Sequence, residues 1–337
     1  MIEALTWASL ALAAAGSLSV CTLAARRLLV ARSERKRRGI ERRLTPVALA
    51  LLAGEPAALD ELGESETEIL AALLARYSAR VRGDETRRIA RFFEERGGLQ
   101  LELERLRDRR AWRRATGAFA LGDMASPQAV PGLLDTLADE AASVRAAAAR
   151  SLGRLGAVEA VGPLVHGFAR GNLTRAVAGQ ALLAVGPAAT PVLRELEDAP
   201  EWEARAFALE LLGLLGNATD GQRVVPKLRD TSAEVRAKAA RALGRLGAKE
   251  ATGALVARLD DRIAFVRVAA AHALAAVGDR SAVPPLLHVA RGHDFDAARA
   301  AAAAAAQLDP DAVRNAAASM ESGPYLAEAA DILGARR

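Results

Sequence analysis

The chain has 337 residues, 51% of them hydrophobic but only 4% aromatic, and a formal charge of +5. Ala and Leu supply most of the apolar residues, and no β-branched or aromatic run is present to build strands, so composition excludes a sheet protein and points to an all-α chain. One cysteine, Cys21, excludes a disulfide framework and a cysteine-based metal site within a single chain; an inert, packed thiol is the expectation for it.

Residues 1–25 are the first predicted element, a transmembrane helix. From Ala4 to Ala25 no residue is charged, and a helix of that length, rising ~1.5 Å per residue, reaches across the hydrocarbon core. The next segment, 26–43, carries nine basic residues against Glu34 and Glu41. A basic flank after the apolar run marks the cytoplasmic side, so the expected topology is single-pass in a bacterial inner membrane, with the N-terminus outside and the rest of the chain cytoplasmic. A cleaved signal peptide needs the opposite charge order. The 26–43 segment is expected to act as a topology determinant, with anionic lipid headgroups as its natural contacts.

Charge beyond this point is balanced: 13 basic and 13 acidic residues over 44–115, then 24 and 25 over 116–337. A balanced body lacks the basic face by which a nucleic-acid groove displaces counterions, so no nucleic-acid partner is expected. Within 44–115 the punctuation by Thr45-Pro46, Ser65…Glu68 and Gly97-Gly98 predicts helices near 46–53, 66–81, 85–96 and 99–109. These are expected to be degenerate helix pairs that cap an array.

Residues 116–337 repeat with a period of 30–31 residues. A glycine closes each apolar run at Gly156, Gly186, Gly216, Gly247 and Gly278. Eleven residues before each stands an arginine: Arg145, Arg175, Arg205, Arg236 and Arg267. Pro131, Pro191 and Pro284 precede their cap position by 25 residues, with Asp309 taking the last cap. Each unit is therefore a helical hairpin. Its first helix opens near the proline, which is tolerated in a first turn, and its second is Ala-rich and stops at glycine. Thr231…Glu234 reads as a capping box, and 311–333 as one closing helix.

The pattern AVPxLLxxLxDxxxxVRxxAAxALGxLG resembles the bacterial HEAT-like repeat of the phycocyanin-lyase type. It is carried best by residues 128–156 and 222–247, and more loosely by 158–186, 190–216, 250–278 and 281–309. The resemblance implies a right-handed α-solenoid of HEAT-like hairpins, here joined to one N-terminal transmembrane helix. It implies no common chemistry and, for most members, a protein partner. The layout also resembles membrane-anchored HEAT proteins of envelope-polysaccharide or glycosyltransferase systems, which would make this chain an accessory subunit there.

Two sets of residues are candidates for function. The recurring arginines follow an acid by six positions in three units (Asp139/Arg145, Asp230/Arg236, Asp261/Arg267), and their expected role is structural: satisfying the inter-helix turn and bridging to the next unit. The position six before each cap glycine holds Arg150, Gln180, Glu210, Arg241 and His272, and Arg154 and Arg245 lie two before their caps. Varied polar side chains on one repeated surface suit a protein-binding face.

No enzyme is expected and no cofactor. The four histidines (His166, His272, His288 and His293) form no ligand set with metal spacing. HEAT-like di-iron hydroxylases rely on His-Glu dipeptides, and none occurs here. A bilin lyase has no need of an anchor. HEAT-like DNA glycosylases need a basic cradle with aromatics, whereas Trp112 and Trp202 read as packing or rim positions.

Overall fold

The computed structural model describes residues 26–27, 31–32, 34–57, 59–319 and 323–335. The expected transmembrane segment 4–25 lies outside them. Among the described residues all regular structure is helical. Two compact units result, one ending near Leu101 with Asp123–Ser126 added, the other built from Glu102–Gly122 and everything after Pro127.

In the first unit residues 34–53 form one helix, α1, followed by α2 (Glu64–Ser78) and α3 (Asp84–Glu95). The expected start at Thr45-Pro46 is corrected: α1 runs straight through it. Thr45 Oγ1 donates to the Glu41 carbonyl at 2.8 Å, which adds a local bond where proline contributes no N–H. The basic segment is thus partly architecture, since Arg43 pairs with Glu66, and Glu41 with Arg76. Leu44, Leu70, Leu74, Ile89 and Phe93 fill this small core.

In the second unit helices come in pairs. After α4 (Gly98–Arg105) and α5 (Ala111–Asp123) follow α6 (Val130–Thr136) with α7 (Ala142–Leu155), α8 (Val161–Ala169) with α9 (Arg175–Val185), and α10 (Thr190–Leu196) with α11 (Trp202–Leu215). Then come α12 (Gly221–Val224) with α13 (Ala233–Leu246), α14 (Thr252–Val256) with α15 (Ala264–Val277), and α16 (Val283–Ala290) with α17 (Phe295–Leu308). The tail closes as two helices rather than the expected one, α18 (Pro310–Ala317) and α19 (Gly323–Ala335). Asp309 caps α18 by accepting from Ala312 N at 3.0 Å, and Gly323 at φ +67 opens α19.

Short first helices and long second helices form separate layers, and the second helices pack side by side in the pairs α7 with α9, α11 with α13, α13 with α15 and α15 with α17, whereas α9 and α11 touch much less. One apolar cluster runs from Leu209 through Leu243, Leu274 and Ala305 to Ala329. Most of its members are alanines, so the second helices approach almost backbone to backbone. The position three before each cap makes this explicit. A Cβ on Gly153 would lie 2.7 Å from the Ala181 backbone, one on Gly213 2.8 Å from Ala242 Cα, and one on Gly244 2.9 Å from Ala273 Cα.

The caps separate into three kinds, Gly186 standing alone with φ +74 and ψ −154. Gly156, Gly247 and Gly278 take the left-handed conformation expected of them, with φ of +66, +65 and +78. Gly216 does not; it is extended, and glycine is required there because a Cβ would sit 2.5 Å from the Leu212 carbonyl oxygen and 2.8 Å from Asp220. The capping box at Thr231…Glu234 is not formed. The N-cap of α13 is Ser232 without a side-chain bond, and Asp230 holds the turn by accepting from Ser232 N at 2.8 Å.

These contacts predict opposite outcomes for two glycine replacements. Gly153→Ala must push helices apart and should lower stability by about 1–3 kcal/mol. Gly253→Ala, with nothing within 4 Å of the new atom, should be neutral or gain up to about 1 kcal/mol. Urea unfolding midpoints of the two variants measure both.

Candidate functional site

The repeat arginines occupy the seam between hairpins. Arg236, on the first turn of α13, donates through Nη1 to the Asp230 and Thr231 carbonyls at 3.0 and 3.2 Å. Its other face grips Asp261 of the next repeat with two bonds, Nε at 2.8 Å and Nη2 at 2.9 Å. Asp261 in turn accepts from Ile263 N at 3.0 Å, ordering the turn before α15. Arg205 repeats the pattern on Ala199, Pro200 and Asp230, and Arg267 on Asp261 and Asp294. One planar guanidinium thus places four bonds on a turn behind and an acid ahead, a geometry that lysine cannot supply.

Sequence reading missed the first member of this series. Arg114 donates to the Asp108 and Arg109 carbonyls and bridges to Asp139 at 2.6 and 2.9 Å. The signal was available: Arg114 precedes Ala125 by eleven residues, and Ala125 stands at the cap with φ +58, the one left-handed non-glycine among the described residues. Without a glycine the unit escaped notice. The array therefore includes α4 and α5, and the boundary at 116 falls inside α5.

In the middle the ladder changes. Position 25 after Arg145 is Arg170, and position 25 after Arg175 is Pro200, so neither finds the usual acid. Arg145 keeps its turn carbonyls, Asp139 and Glu140, and reaches the Asn172 carbonyl at 2.8 Å. Arg175 turns to Glu210 on the exposed row and lies 5.8 Å from the Phe207 ring centroid. Leu183, half exposed, stands where the repeats on either side have a close-packing glycine, Gly153 and Gly213.

Of the second candidate set the structure brings Arg241 and His272 into one groove. Arg150, Gln180, Arg241 and His272 are exposed, one on each of α7, α9, α13 and α15. Glu210 is half-buried and already engaged, by Arg175 on one side and Lys238 at 3.4 Å on the other. Arg154 is also tied down: it donates to the Phe119 carbonyl at 2.8 Å and to Ser151 Oγ at 3.0 Å, with its guanidinium 4.3 Å over the Phe119 ring. Arg241 and His272 meet in a groove of about 640 Å³ between α13, α15 and α17. Phe265, Asp296 and Arg299 complete its walls. Sequence reading passed these three over because none repeats from unit to unit. Arg245 lies one turn along α13 from Arg241, exposed like it.

The acids of the ladder are held ionised. Arg114 and the N–H of Ala141 pull the Asp139 carboxyl below its ordinary value against the opposing effect of burial. For Asp230 and Asp261 burial pushes up most strongly, yet the arginine and backbone bonds together win and the net direction is down. Among the described residues no three His, Cys, Asp or Glu side chains gather to hold a metal ion. One described run, Arg175–Leu196, is long and apolar enough to cross a membrane, but it is two helices, α9 and α10, interrupted at Gly186-Pro187, and its Leu182 and Leu193 are fully buried.

The sequence profile of HEAT repeats matches residues 100–183 and 221–307. The chain belongs to the HEAT-repeat family. The matched stretch begins before the 116 boundary, at the pair containing Arg114, and its gap, 184–220, holds Pro200, where the ladder loses its acid. A search of curated proteins returns no match. Among solved structures the chain is similar to human deoxyhypusine hydroxylase, with 20% identity, 80% of this chain and 97% of that one covered, and a TM-score of 0.33. It is similar to Escherichia coli YibA, with 22% identity, coverages of 70% and 96%, and a TM-score of 0.39. It is also similar to the CpcE–CpcF complex of phycocyanin lyase from Nostoc sp., with 23% identity, coverages of 70% and 94%, and a TM-score of 0.33. These are likenesses of fold alone.

Two measurements follow for the HEAT ladder. In the Arg236–Asp261 bridge the side chains are 6% and 3% exposed; Arg236→Ala strands the acid and should cost about 3–5 kcal/mol. Arg175→Ala, breaking a pair 49% and 22% exposed, should cost about 1 kcal/mol or less. The second concerns pH. Because the ladder aspartates are depressed in the folded state, their stabilisation is complete above the unfolded value and is lost as pH falls below about 4. Thermal unfolding should be nearly flat from neutral to mildly acidic pH and then fall. Asp261→Asn should lower the neutral plateau and shrink that fall.

Proposed function

We propose that this HEAT-repeat protein is a non-catalytic scaffold that captures a protein partner on the open face of its second-helix layer. In this reading residues 4–25 tether it in a bacterial inner membrane, with the repeats on the cytoplasmic side. The observation that carries the scaffold role is the contrast between the two faces of the same helices. The packed face is almost uniformly Ala, Gly and Leu, while the exposed positions of the row change chemistry from Arg150 to Gln180, Arg241 and His272, with Glu210 between them engaged by the flanking repeats. Packing requires the first; nothing in packing requires the second, and graded chemistry along a repeat surface is how solenoids select partners. The membrane tether is supported by the charge-free run from Ala4 to Ala25 followed by nine basic residues.

The test is fractionation and capture with the full chain. The protein should stay with membranes after an alkaline wash, and a chain lacking residues 1–25 should not. After chemical cross-linking in membranes, a protein should co-purify with the full chain and be lost from an Arg150→Glu/Arg241→Glu variant that unfolds at the same temperature. Recovery of the full chain in the soluble fraction removes the tether. Equal capture by the double variant removes the open row as the binding face.

A further inference from the structure

Charge along the open row is distributed unevenly. At α11 it is neutralised internally, because Glu210 is shared by Arg175 and Lys238 from the flanking repeats and Lys238 also reaches Glu234 at 3.9 Å. One repeat further on, no such exchange exists. Arg241 and Arg245, exposed and one turn apart on α13, have no ion-pair partner among the described residues. Lys238 stands at the edge of this excess. Burial lowers its pKa most, and Arg175, Arg241 and Arg245 add to the effect against Glu234. Four cations there face two carboxylates, Glu210 and Glu234.

Beside this excess lies the groove of about 640 Å³, a size suited to enclosing a ligand group. Its surface is apolar where Val268 and Ala300 line it, and Phe265, 43% exposed, stands as a wall. At its far end Arg299 is already paired with Glu328 at 3.2 Å, so the unsatisfied charge lies at the Arg241 end. An occupant must bring negative charge to one end and apolar surface to the middle.

We propose that this groove receives an acidic segment of the protein partner. An apolar side chain of that segment packs against Phe265 and Val268, and a flanking carboxylate meets Arg241, while Arg245, one turn along α13 and leaning over Gly213 of α11, adds positive charge beyond the groove's edge. The proposal rests on the scaffold function given above and names the class of partner sequence. Guanidinium–carboxylate pairing sets orientation, and the apolar anchor excludes water around it. A basic segment is rejected by the same excess charge. Nucleic acid fits less well: the groove offers one exposed ring for stacking, Phe265, and Asp296 on its wall leaves the positive charge confined to the Arg241 end, too short a stretch to follow a phosphate backbone.

The experiment is fluorescence anisotropy on the full chain in detergent. The probes are a short labelled peptide with one Leu flanked by Glu and Asp in a Gly/Ser frame, the same peptide with Lys for every acid, the same peptide with Ser for Leu, and a single-stranded oligonucleotide of equal length. The acidic Leu peptide should bind, more weakly as salt rises. The Lys and Ser versions should bind about tenfold more weakly, or less, and Arg241→Glu/Arg245→Glu should cause a similar loss. Phe265→Ala should weaken the Leu peptide while leaving the Ser version unchanged. Both variants change exposed side chains, and an unaltered thermal midpoint confirms their fold. Equal binding of acidic and basic peptides, insensitivity to Arg241→Glu/Arg245→Glu, or preference for the oligonucleotide overturns the proposal. If the acidic peptide fails while the membrane-captured partner is retained by Arg241→Glu/Arg245→Glu, the groove assignment falls and the scaffold function stands.

Discussion

A layer of closely packed helices must solve a problem at its edge: the turn between the two helices of each hairpin leaves carbonyls without helical partners. Here an arginine solves it in every hairpin from α4–α5 to α14–α15 but the one carrying Arg175. Arg205, Arg236 and Arg267 each donate back to the turn of their own hairpin and forward to an aspartate of the next. That aspartate then orders the following turn. The bridge ties consecutive hairpins through two charge-assisted contacts and leaves little freedom in their spacing. At Arg236–Asp261, the most buried of these bridges, neither member can be lost alone without stranding the other away from water.

The ladder also explains why the second helices can be so poor in large side chains. With spacing set at the seam, Ala and Gly suffice along the interface, and Gly153, Gly213 and Gly244 bring neighbouring backbones nearly into contact. Such an interface tolerates no variation. All chemical freedom is pushed to the open row, so the residues that differ from repeat to repeat are the ones available for recognition. Where the ladder loses its acid, at Pro200, three other features change with it: Leu183 replaces the close-packing glycine, Phe207 approaches Phe168 with centroids 4.5 Å apart, and Arg175 spends its charge on Glu210. The row is closed there and open again at α13.

The periodic features were legible in the sequence because each follows from a local requirement. Gly247 ends α13 because a left-handed cap costs glycine nothing, and Pro131 and Pro284 open helices because a first turn needs no N–H from them. The spacing of Arg236 behind Gly247 repeats because each hairpin must meet the next in the same way. Where a residue broke the local rule, sequence reading failed. Ala125 adopts the cap conformation without being glycine, and so hid Arg114 and the whole α4–α5 pair. Pro46 lies within α1, where proline signals a start.

Helix content, hairpin period, the identity of the family and the row on which variable residues stand are properties of neighbours three to thirty positions apart, and the sequence determines them by itself. Pairing across the row is different in kind. Whether Glu210 is free or held, and whether Arg241 faces a counter-charge or an apolar groove, depends on side chains from three repeats meeting at one place. No periodic pattern encodes such meetings, because Lys238, Phe265 and Arg299 each occur once. Only the stacking of α9, α11, α13, α15 and α17 decides them, since electrostatics and burial act on distance in space and take no account of order along the chain.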